Sequence, residues 1–560
     1  FPAGIQMHPR AQLNAVQENF RQLSGVSVIV YVQTCAAEKR RRRKRGAFPD
    51  PDQRLFINPD VCEGCGDCGV QSNCVSLLPL ETPLGRKRRI DQSSCNKDFS
   101  CVNGFCPSFA TVRGGQLRRP VAQALSIPDL PAPEPCTLKG THNVVVTGVG
   151  GTGVVTIGAL LAMAAHLDGK AAGVMEMAGL AQKGGAVHIH CRIGERPEDI
   201  SAIRVALGEC DALIGGDLVV SAQGSTLGLM APTGGAVVNR HEIITGDFTR
   251  DTAFAIPGAD LHLALTARLQ ERARLFNATR LAETVLGDTV YANMILLGAA
   301  YQQGLLPLTQ EALLEAIALN GAKVSQNQQA FALGQWAMVD PDLDSKFERI
   351  EAPVQDPEAA RLAGLRAYGS GRLARYEEMR GKLQGMAPEL RELALQSYHK
   401  LLSYKDEYEV ARLLLATKTQ VAERFEGDYE ISYHLAPPLL AKTGPDGRPQ
   451  KRSFGAWFDW VSQGLARLSF LRETPFDPFG YSAERRIERQ LIKEFESLIG
   501  RMLRDYDPER LDIWQEILGL PLNIRGFGPV KLANAKAMQK RRAELLDQLT
   551  KGHASENSAA

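Results

Sequence analysis

Seven of the eleven cysteines in this 560-residue chain lie between Cys62 and Cys106. Three stand in Cys62-Glu63-Gly64-Cys65-Gly66-Asp67-Cys68, with Gly64, Gly66 and Gly69 spaced to let the backbone wrap tightly. The surrounding stretch, residues 55–112, is rich in Gly, Asn, Ser and Pro and has little periodicity. It reads as a loop-rich unit that needs a staple, because it cannot bury much apolar surface. Disulfides would suit a small secreted domain, but the first residues lack the basic, then apolar, then small-residue order of a signal peptide. In a reducing compartment such as the cytoplasm, clustered thiolates mean metal or redox chemistry.

Spacing narrows the chemistry. Cys-x-x-Cys-x-x-Cys plus a remote Cys followed by Pro is how [4Fe–4S] cubes are held. Cys106-Pro107 is the only such dipeptide after the triad, so Cys62, Cys65, Cys68 and Cys106 are expected to bind one cluster. Cys74, Cys95 and Cys101 remain. Two cubes need one ligand more than the seven present, so a second cluster is either completed by a group such as Asp98 or absent. The alternative metal is zinc, which usually takes two Cys-x-x-Cys pairs on separate knuckles. Cys35, Cys136, Cys191 and Cys210 stand apart and read as small buried hydrophobes.

The length calls for several domains. Net charge is only +2, so bulk electrostatics names no partner. Two local runs are basic, Lys39 to Arg45 and Arg86-Lys87-Arg88-Arg89. With zinc they would suggest a nucleic-acid-binding module, but they lack interleaved aromatics, so nucleic acid is not the expected partner. The second run flanks the cysteines and could raise a cluster's potential or dock an acidic electron carrier. No apolar run is long enough to span a bilayer, and no membrane partner is expected.

Four segments are expected: 1–50, the tail of a domain plus a basic linker; 51–125, the cysteine segment; 136–338, a parallel-sheet α/β domain; and 340–560, a mainly α-helical domain. In the first, the β-branched run at residues 26–32 reads as one buried strand. One strand makes no domain, so the chain is expected to be a fragment or subunit of something larger. In the third, strands are expected at 142–147, 186–193, 212–214 and 236–239, alternating with helices. Helices dominate 281–336. In the fourth, residues 483–506 place Ile487, Leu491, Phe495, Leu498 and Leu503 on one stripe. No metal or nucleophile constellation is apparent there.

Gly148, Gly150 and Gly153 fit G-x-G-x-x-G between a strand and a helix, with Gly151 inside the turn. That context suits a phosphate-bearing dinucleotide, and Glu176 sits where a ribose-binding acid would. A cluster-bearing dinucleotide dehydrogenase is therefore an alternative function. The plainer reading is a turn that permits close helix–strand packing. His188 and His190 share one strand face and read as structural histidines.

These residues resemble a known family. Cys62 to Cys68 and Cys95-Asn96-Lys97-Asp98-Phe99-Ser100-Cys101 resemble the ferredoxin-like segment of fused indolepyruvate ferredoxin oxidoreductases. Residues 141–336 resemble the gamma domain of the 2-oxoacid:ferredoxin oxidoreductases, through Gly148 to Gly153, Gln182-Lys183-Gly184-Gly185 and Asn293-Met294-Ile295-Leu296-Leu297-Gly298. Residues 340–560 resemble the C-terminal extension of the fused form, through residues 474–481 and Ile524-Arg525-Gly526-Phe527-Gly528-Pro529-Val530-Lys531. The resemblance implies oxidative decarboxylation of an aryl 2-oxoacid on thiamine diphosphate and Mg²⁺, with coenzyme A as acyl acceptor. It implies electron transfer through [4Fe–4S] clusters to ferredoxin or a similar acidic carrier, and a homo-oligomer. No Gly-Asp-Gly with a downstream Asn is present, so a thiamine-bearing domain or subunit is expected elsewhere, and no catalytic residue for decarboxylation is assigned.

Overall fold

The computed structural model describes residues 4–118, 127–178, 185–243, 251, 254–347, 356–437, 442–444 and 448–556. It divides into two units, Phe1–Asp50 and Pro51–Ala560.

In the first unit, Leu13–Arg21 and Ala36–Lys44 are helices. The expected strand at 26–32 does not form: the segment is irregular, and Val26 and Val32 are 98% and 78% exposed. Its apolar, β-branched composition is not enough, because a strand needs a neighbour to satisfy its backbone and the unit has none among its described residues. Cys35 is exposed rather than buried.

The second unit begins with β1 (Gln53–Ile57), the short helix α1 (Asp67–Ser72), the hairpin β2 (Leu77–Leu80) and β3 (Lys87–Ile90), and β4 (Phe109–Arg113). Strands β1 and β4 pair antiparallel, Leu55 opposite Thr111, and hold the cysteine loops between them.

The α/β part follows as β5 (His142–Val149), α2 (Val154–Leu167), β6 (Ala171–Ala178), β7 (Ala186–Gly194), β8 (Cys210–Gly215), β9 (Met230–Asn239) and β10 (Ala273–Phe276). The sheet order is β10-β9-β8-β5-β7-β6. Valines 144–146 in β5 are at most 1% exposed, as a strand covered on both faces requires. The parallel sheet expected from the strand–helix alternation is present from β10 to β5. The far edge departs from it: β7 runs antiparallel to both β5 and β6. Residues 179–185 link β6 to β7, and so short a link makes a hairpin rather than a parallel crossover. Helices α3 (Ala292–Gln302) and α4 (Val324–Val339) cross at Gly298 and Gly334. A Cβ on either would meet a backbone oxygen of the other helix at 1.9 Å. Cys191 and Cys210 are buried here as expected.

Beyond residue 356 the chain is mainly helical, including α5 (Pro388–Leu402), α6 (Glu407–Leu414), α7 (Ala483–Arg504), α8 (Leu511–Gly519) and α9 (Gly528–Glu556). On α7 the buried stripe runs through Leu491, Phe495, Leu498 and Met502, while Leu503 is 43% exposed. Two strands interrupt the helices, β11 (Glu430–Leu435) and β12 (Arg452–Phe454). They extend the cysteine segment's sheet in the order β1-β4-β11-β12, with Ile431 opposite Val112. Phe56, Val61, Ala110 and Val112 share one core with Leu414, Val421, Phe425 and Tyr433. The cysteine segment and the C-terminal region thus share a sheet and a core.

Candidate metal centre

The first thiol set is built by turns that leave β1 and return to β4. Asn58, fully buried, accepts from the amides of Asp60 and Val61 at 2.9 and 3.2 Å and donates to Thr417 Oγ1 at 2.9 Å. That turn delivers Cys62. Gly64 (φ +66°) and Gly66 (φ +78°) then take left-handed conformations that other residues adopt at a cost. Gly66 caps α1, which carries Cys68. Cys106 approaches from the other side through Gly104, where a Cβ would lie 2.7 Å from Cys68 Cα. The buried carboxylate of Asp67 accepts from the Phe105 amide at 2.6 Å and so ties the two loops together. It also receives Arg448 at 3.2 Å.

Cys62, Cys65, Cys68 and Cys106 line one small pocket, together with Arg88, Phe105, Ser108 and Phe109. Burial, then Cys106, then Cys62, push the Cys65 thiol up to about 12. Cys68 is pushed well up by burial and by Cys106, Cys62 and Cys65. Burial also raises Cys106, opposed by Lys451. The Sγ of Cys62 accepts from the Gly64 amide at 3.4 Å, and Ser108 Oγ lies 2.9 Å from Cys106 Sγ. The second set is separate: burial, Cys74, Cys95 and the exposed Asp98 raise Cys101, and the Lys97 amide donates to Cys95 Sγ at 3.4 Å. The structure thus brings the seven cysteines together as four and three. Among the described residues, no three His, Cys, Asp or Glu side chains are grouped so as to hold a single metal ion.

Cations surround the first set. Lys87 and Arg88 come from β3, and Lys405, Lys451 and Arg525 from the C-terminal region. Burial, then Lys405, lowers Lys87 to about 7. Burial lowers Lys405 to about 8, opposed by the nearby Cys62. Lys405 donates to the carbonyls of Val61 and Cys62 at 3.2 and 3.3 Å and pairs with Glu63 at 2.9 Å; Lys400 pairs with the same carboxylate. Burial thus disfavours charge both on the thiols of Cys65, Cys68 and Cys106 and on the neighbouring Lys87 and Lys405. A cationic metal group that ionises the thiols resolves both: the thiolates gain the metal, and the surplus negative charge gains the lysines. The donor set therefore fits a thiolate-ligated, multinuclear group. Glu63, Asp67, Gly104, Lys405 and Lys451 were not singled out from sequence. The one available signal was the paired glycine motif at residues 526 and 528: Gly526 (φ +101°) approaches Cys65, and a Cβ on Gly528 would lie 2.5 Å from the Phe105 ring.

The glycine turn is a different kind of place. Gly148, Gly150, Gly151 and Gly153 do join β5 to α2, with positive φ at Gly151 and Gly153. Its amides are already engaged: Val149 N donates to Asp217 Oδ2 at 2.7 Å, Gly150 N to Gly185 O at 2.8 Å, and Thr152 N to Val149 O at 3.2 Å. The buried carboxylate of Asp217 thus meets the strand end of the turn. Glu176 is exposed on β6, with β7 between it and β5, so it does not meet the turn as a ribose-binding acid beside the first strand would. Asn293 fills the space over Gly153, where a Cβ would lie 2.4 Å from Asn293 Nδ2. The turn serves close packing of strand, helix and α3. His190 Nδ1 accepts from the Val205 amide at 3.0 Å, and His188 contacts Thr226 at 3.1 Å; both have structural partners. Of Gln182-Lys183-Gly184-Gly185, only Gly185 lies within the described residues.

Residues 143–335 match the pyruvate ferredoxin/flavodoxin oxidoreductase family, and residues 359–544 match a family of unknown function (DUF6537). Among curated proteins, indolepyruvate oxidoreductase subunit IorB of Archaeoglobus fulgidus is 29% identical over 34% of this chain and 92% of its own length. Its namesake from Thermococcus kodakarensis is 27% identical over 34% and 94%. Among solved structures, the gamma subunit of a keto/oxoacid ferredoxin oxidoreductase from Geobacter sulfurreducens is 24% identical, covering 35% of this chain and 98% of its own, at a TM-score of 0.25. The similarity to 2-oxoacid:ferredoxin oxidoreductases thus lies in residues 143–335, the α/β part of the chain.

Proposed function

We propose that this chain is the electron-relay and gamma-domain portion of an aryl 2-oxoacid, indolepyruvate-type ferredoxin oxidoreductase. The observation that carries the relay is the set of four thiols, Cys62 and Cys68 buried and Cys65 and Cys106 half-buried, that line one pocket with Arg88. The match to IorB subunits supports the substrate class. A [4Fe–4S] cluster in that pocket supplies reversible one-electron storage. The chain's own residues hold the four thiolates, fix the two loops through Asp67, and keep water out with Phe105 and Phe109. Cys74, Cys95 and Cys101, with Asp98 as the solvent-facing fourth ligand, hold a second cluster in the same reading. Thiamine diphosphate, Mg²⁺ and the residues of decarboxylation belong to a partner domain or subunit. Coenzyme A takes the acyl group, and ferredoxin or a similar acidic carrier takes the electrons, in a cytoplasmic homo-oligomer.

Anaerobic purification of the full chain tests this. A brown protein with about four iron atoms per cluster, matching sulfide and a paramagnetic signal on reduction is expected. A colourless, zinc-loaded protein refutes it.

A further inference from the structure

Three of the five cations around the first thiol set come from beyond residue 400, in a region with no assigned chemistry. Lys451 is the most telling. It immediately precedes β12, the outer strand that the C-terminal region adds to the cysteine segment's sheet. Its ammonium donates to the carbonyls of Gly104 and Cys106 at 2.5 and 3.2 Å and stands 5.1 Å from the centre of the Phe109 ring. Among the described residues, no carboxylate lies within ion-pair distance of it. The charges it does face are Cys106 and Cys68 of the first set, Cys101 of the second, and Asp67. A half-buried ammonium without an ion-pair partner is costly, and a fold that keeps one has a use for the charge.

Lys405 and Arg525 repeat the pattern at the other side of the pocket. Lys405 is held on the Val61 and Cys62 carbonyls. Its partner Glu63 also pairs with Lys400, so two lysines share one carboxylate. Arg525 faces Cys65 and Cys62. The next residue, Gly526, packs so closely that its Cβ would lie 3.3 Å from Cys65 Cβ. Positive charge next to a group that becomes more negative on taking up an electron stabilises the reduced form.

We propose that the C-terminal region is the electrostatic half of the cluster site: Lys451, assisted by Lys405 and Arg525, raises the reduction potential of the cluster at Cys62, Cys65, Cys68 and Cys106. The proposal rests on the relay reading above. These residues touch the ligand loops rather than the reacting atoms and act as positioning residues. No bond is made or broken; one electron enters the cluster and leaves it, and the lysines set how favourably it is held.

The test uses the full chain purified anaerobically, with Lys451→Met, Lys405→Met and Lys451→Arg variants. Iron per chain and a paramagnetic-resonance redox titration are read for each. Lys451→Met is expected to keep its iron. At a fixed potential near the midpoint, its reduced-to-oxidised ratio should fall about tenfold or more, which is a negative shift of about 59 mV or more for one electron. Lys451→Arg should restore the parental value. A Lys451→Met protein with full iron and an unshifted potential overturns the proposal. If Lys451→Met fails to load iron, Lys405→Met carries the measurement, and an unshifted potential there overturns it equally. A parental chain without iron, sulfide or signal refutes the underlying relay reading instead, so the two failures are told apart.

Discussion

Gly104→Ala should damage the first cluster site, while Gly69→Ala, in the same segment, should not. The Cβ at Gly104 would lie 2.7 Å from Cys68 Cα, 2.8 Å from its nitrogen and 3.0 Å from its Cβ. Ordinary contact begins at 3.4 Å, so the loop must retreat by 3.4 − 2.7 = 0.7 Å. The obstacle is the backbone of α1, which cannot swing aside as a side chain would. The retreat pulls the Phe105 amide from Asp67, now 2.6 Å away, and moves Cys106 off the other three thiols. Overpacking costs about 1–3 kcal/mol, and weakening a bond to a carboxylate adds about 1 kcal/mol. The stiffer unfolded chain returns about 0.5–1 kcal/mol. A net loss of about 2 kcal/mol is expected, taken from the geometry the cluster needs. At Gly69 nothing lies within 4 Å of a Cβ, and alanine in α1 gains about 0.5–1 kcal/mol. The assay is iron per chain after anaerobic reconstitution, followed by loss of cluster absorbance in urea. Gly104→Ala should load less iron and bleach at lower urea, and Gly69→Ala should match or exceed the parent. An unaffected Gly104→Ala, or a Gly69→Ala damaged to the same degree, would refute the reasoning.

Cys65→Ser and Cys74→Ser should each remove about half of the iron in a two-cluster chain; a Cys74→Ser protein with unchanged iron rules out the second cluster. Gly298→Ala should destabilise the α/β part by about 3 kcal/mol or more, since its Cβ would sit 1.9 Å from the Phe331 oxygen, and an unchanged melting temperature contradicts the close crossing of α3 and α4. His399 is lowered by burial, and next by Arg361, to about 3 against an ordinary 6.5. The unfolded chain therefore binds the proton first, and stability complete above about pH 6.5 is lost as the pH falls towards 3, by up to about 1.4 kcal/mol per pH unit. His399→Leu should flatten that slope in urea titrations between pH 7 and 5, because the buried Nε2 has no hydrogen-bond partner to lose; an unaltered slope places the acid sensitivity elsewhere.

What could be read from sequence was local. The Cys62–Cys68 triad, the Cys106-Pro107 partner and the leftover three cysteines are spacings along one short stretch; the structure sets Cys68 near Cys62, Cys65 and Cys106, and Cys101 near Cys74 and Cys95. Buried strands such as β5 and core helices such as α2 follow from composition in the same way. Pairing was not local. Nothing within residues 171–178 says that β7 will insert between them and β5, and that one choice separates Glu176 from the glycine turn. Residues 26–32 have the composition of a strand and no described neighbour to pair with.

The C-terminal cations are the extreme case. Lys405 meets Cys62 across 343 residues, and Lys451 meets Cys106 across 345. In the sequence they are ordinary lysines among helices, and only β11 pairing with β4 brings them inside. Once there, their meaning is electrostatic. Two buried cations, Lys87 and Arg88, and three half-buried ones, Lys405, Lys451 and Arg525, are not gathered around four thiols for packing alone, because each loses hydration and, among the described residues, Lys451 gains no carboxylate of its own. The economical explanation is a shared anion, which the proposed thiolate-held cluster at Cys62, Cys65, Cys68 and Cys106 would supply.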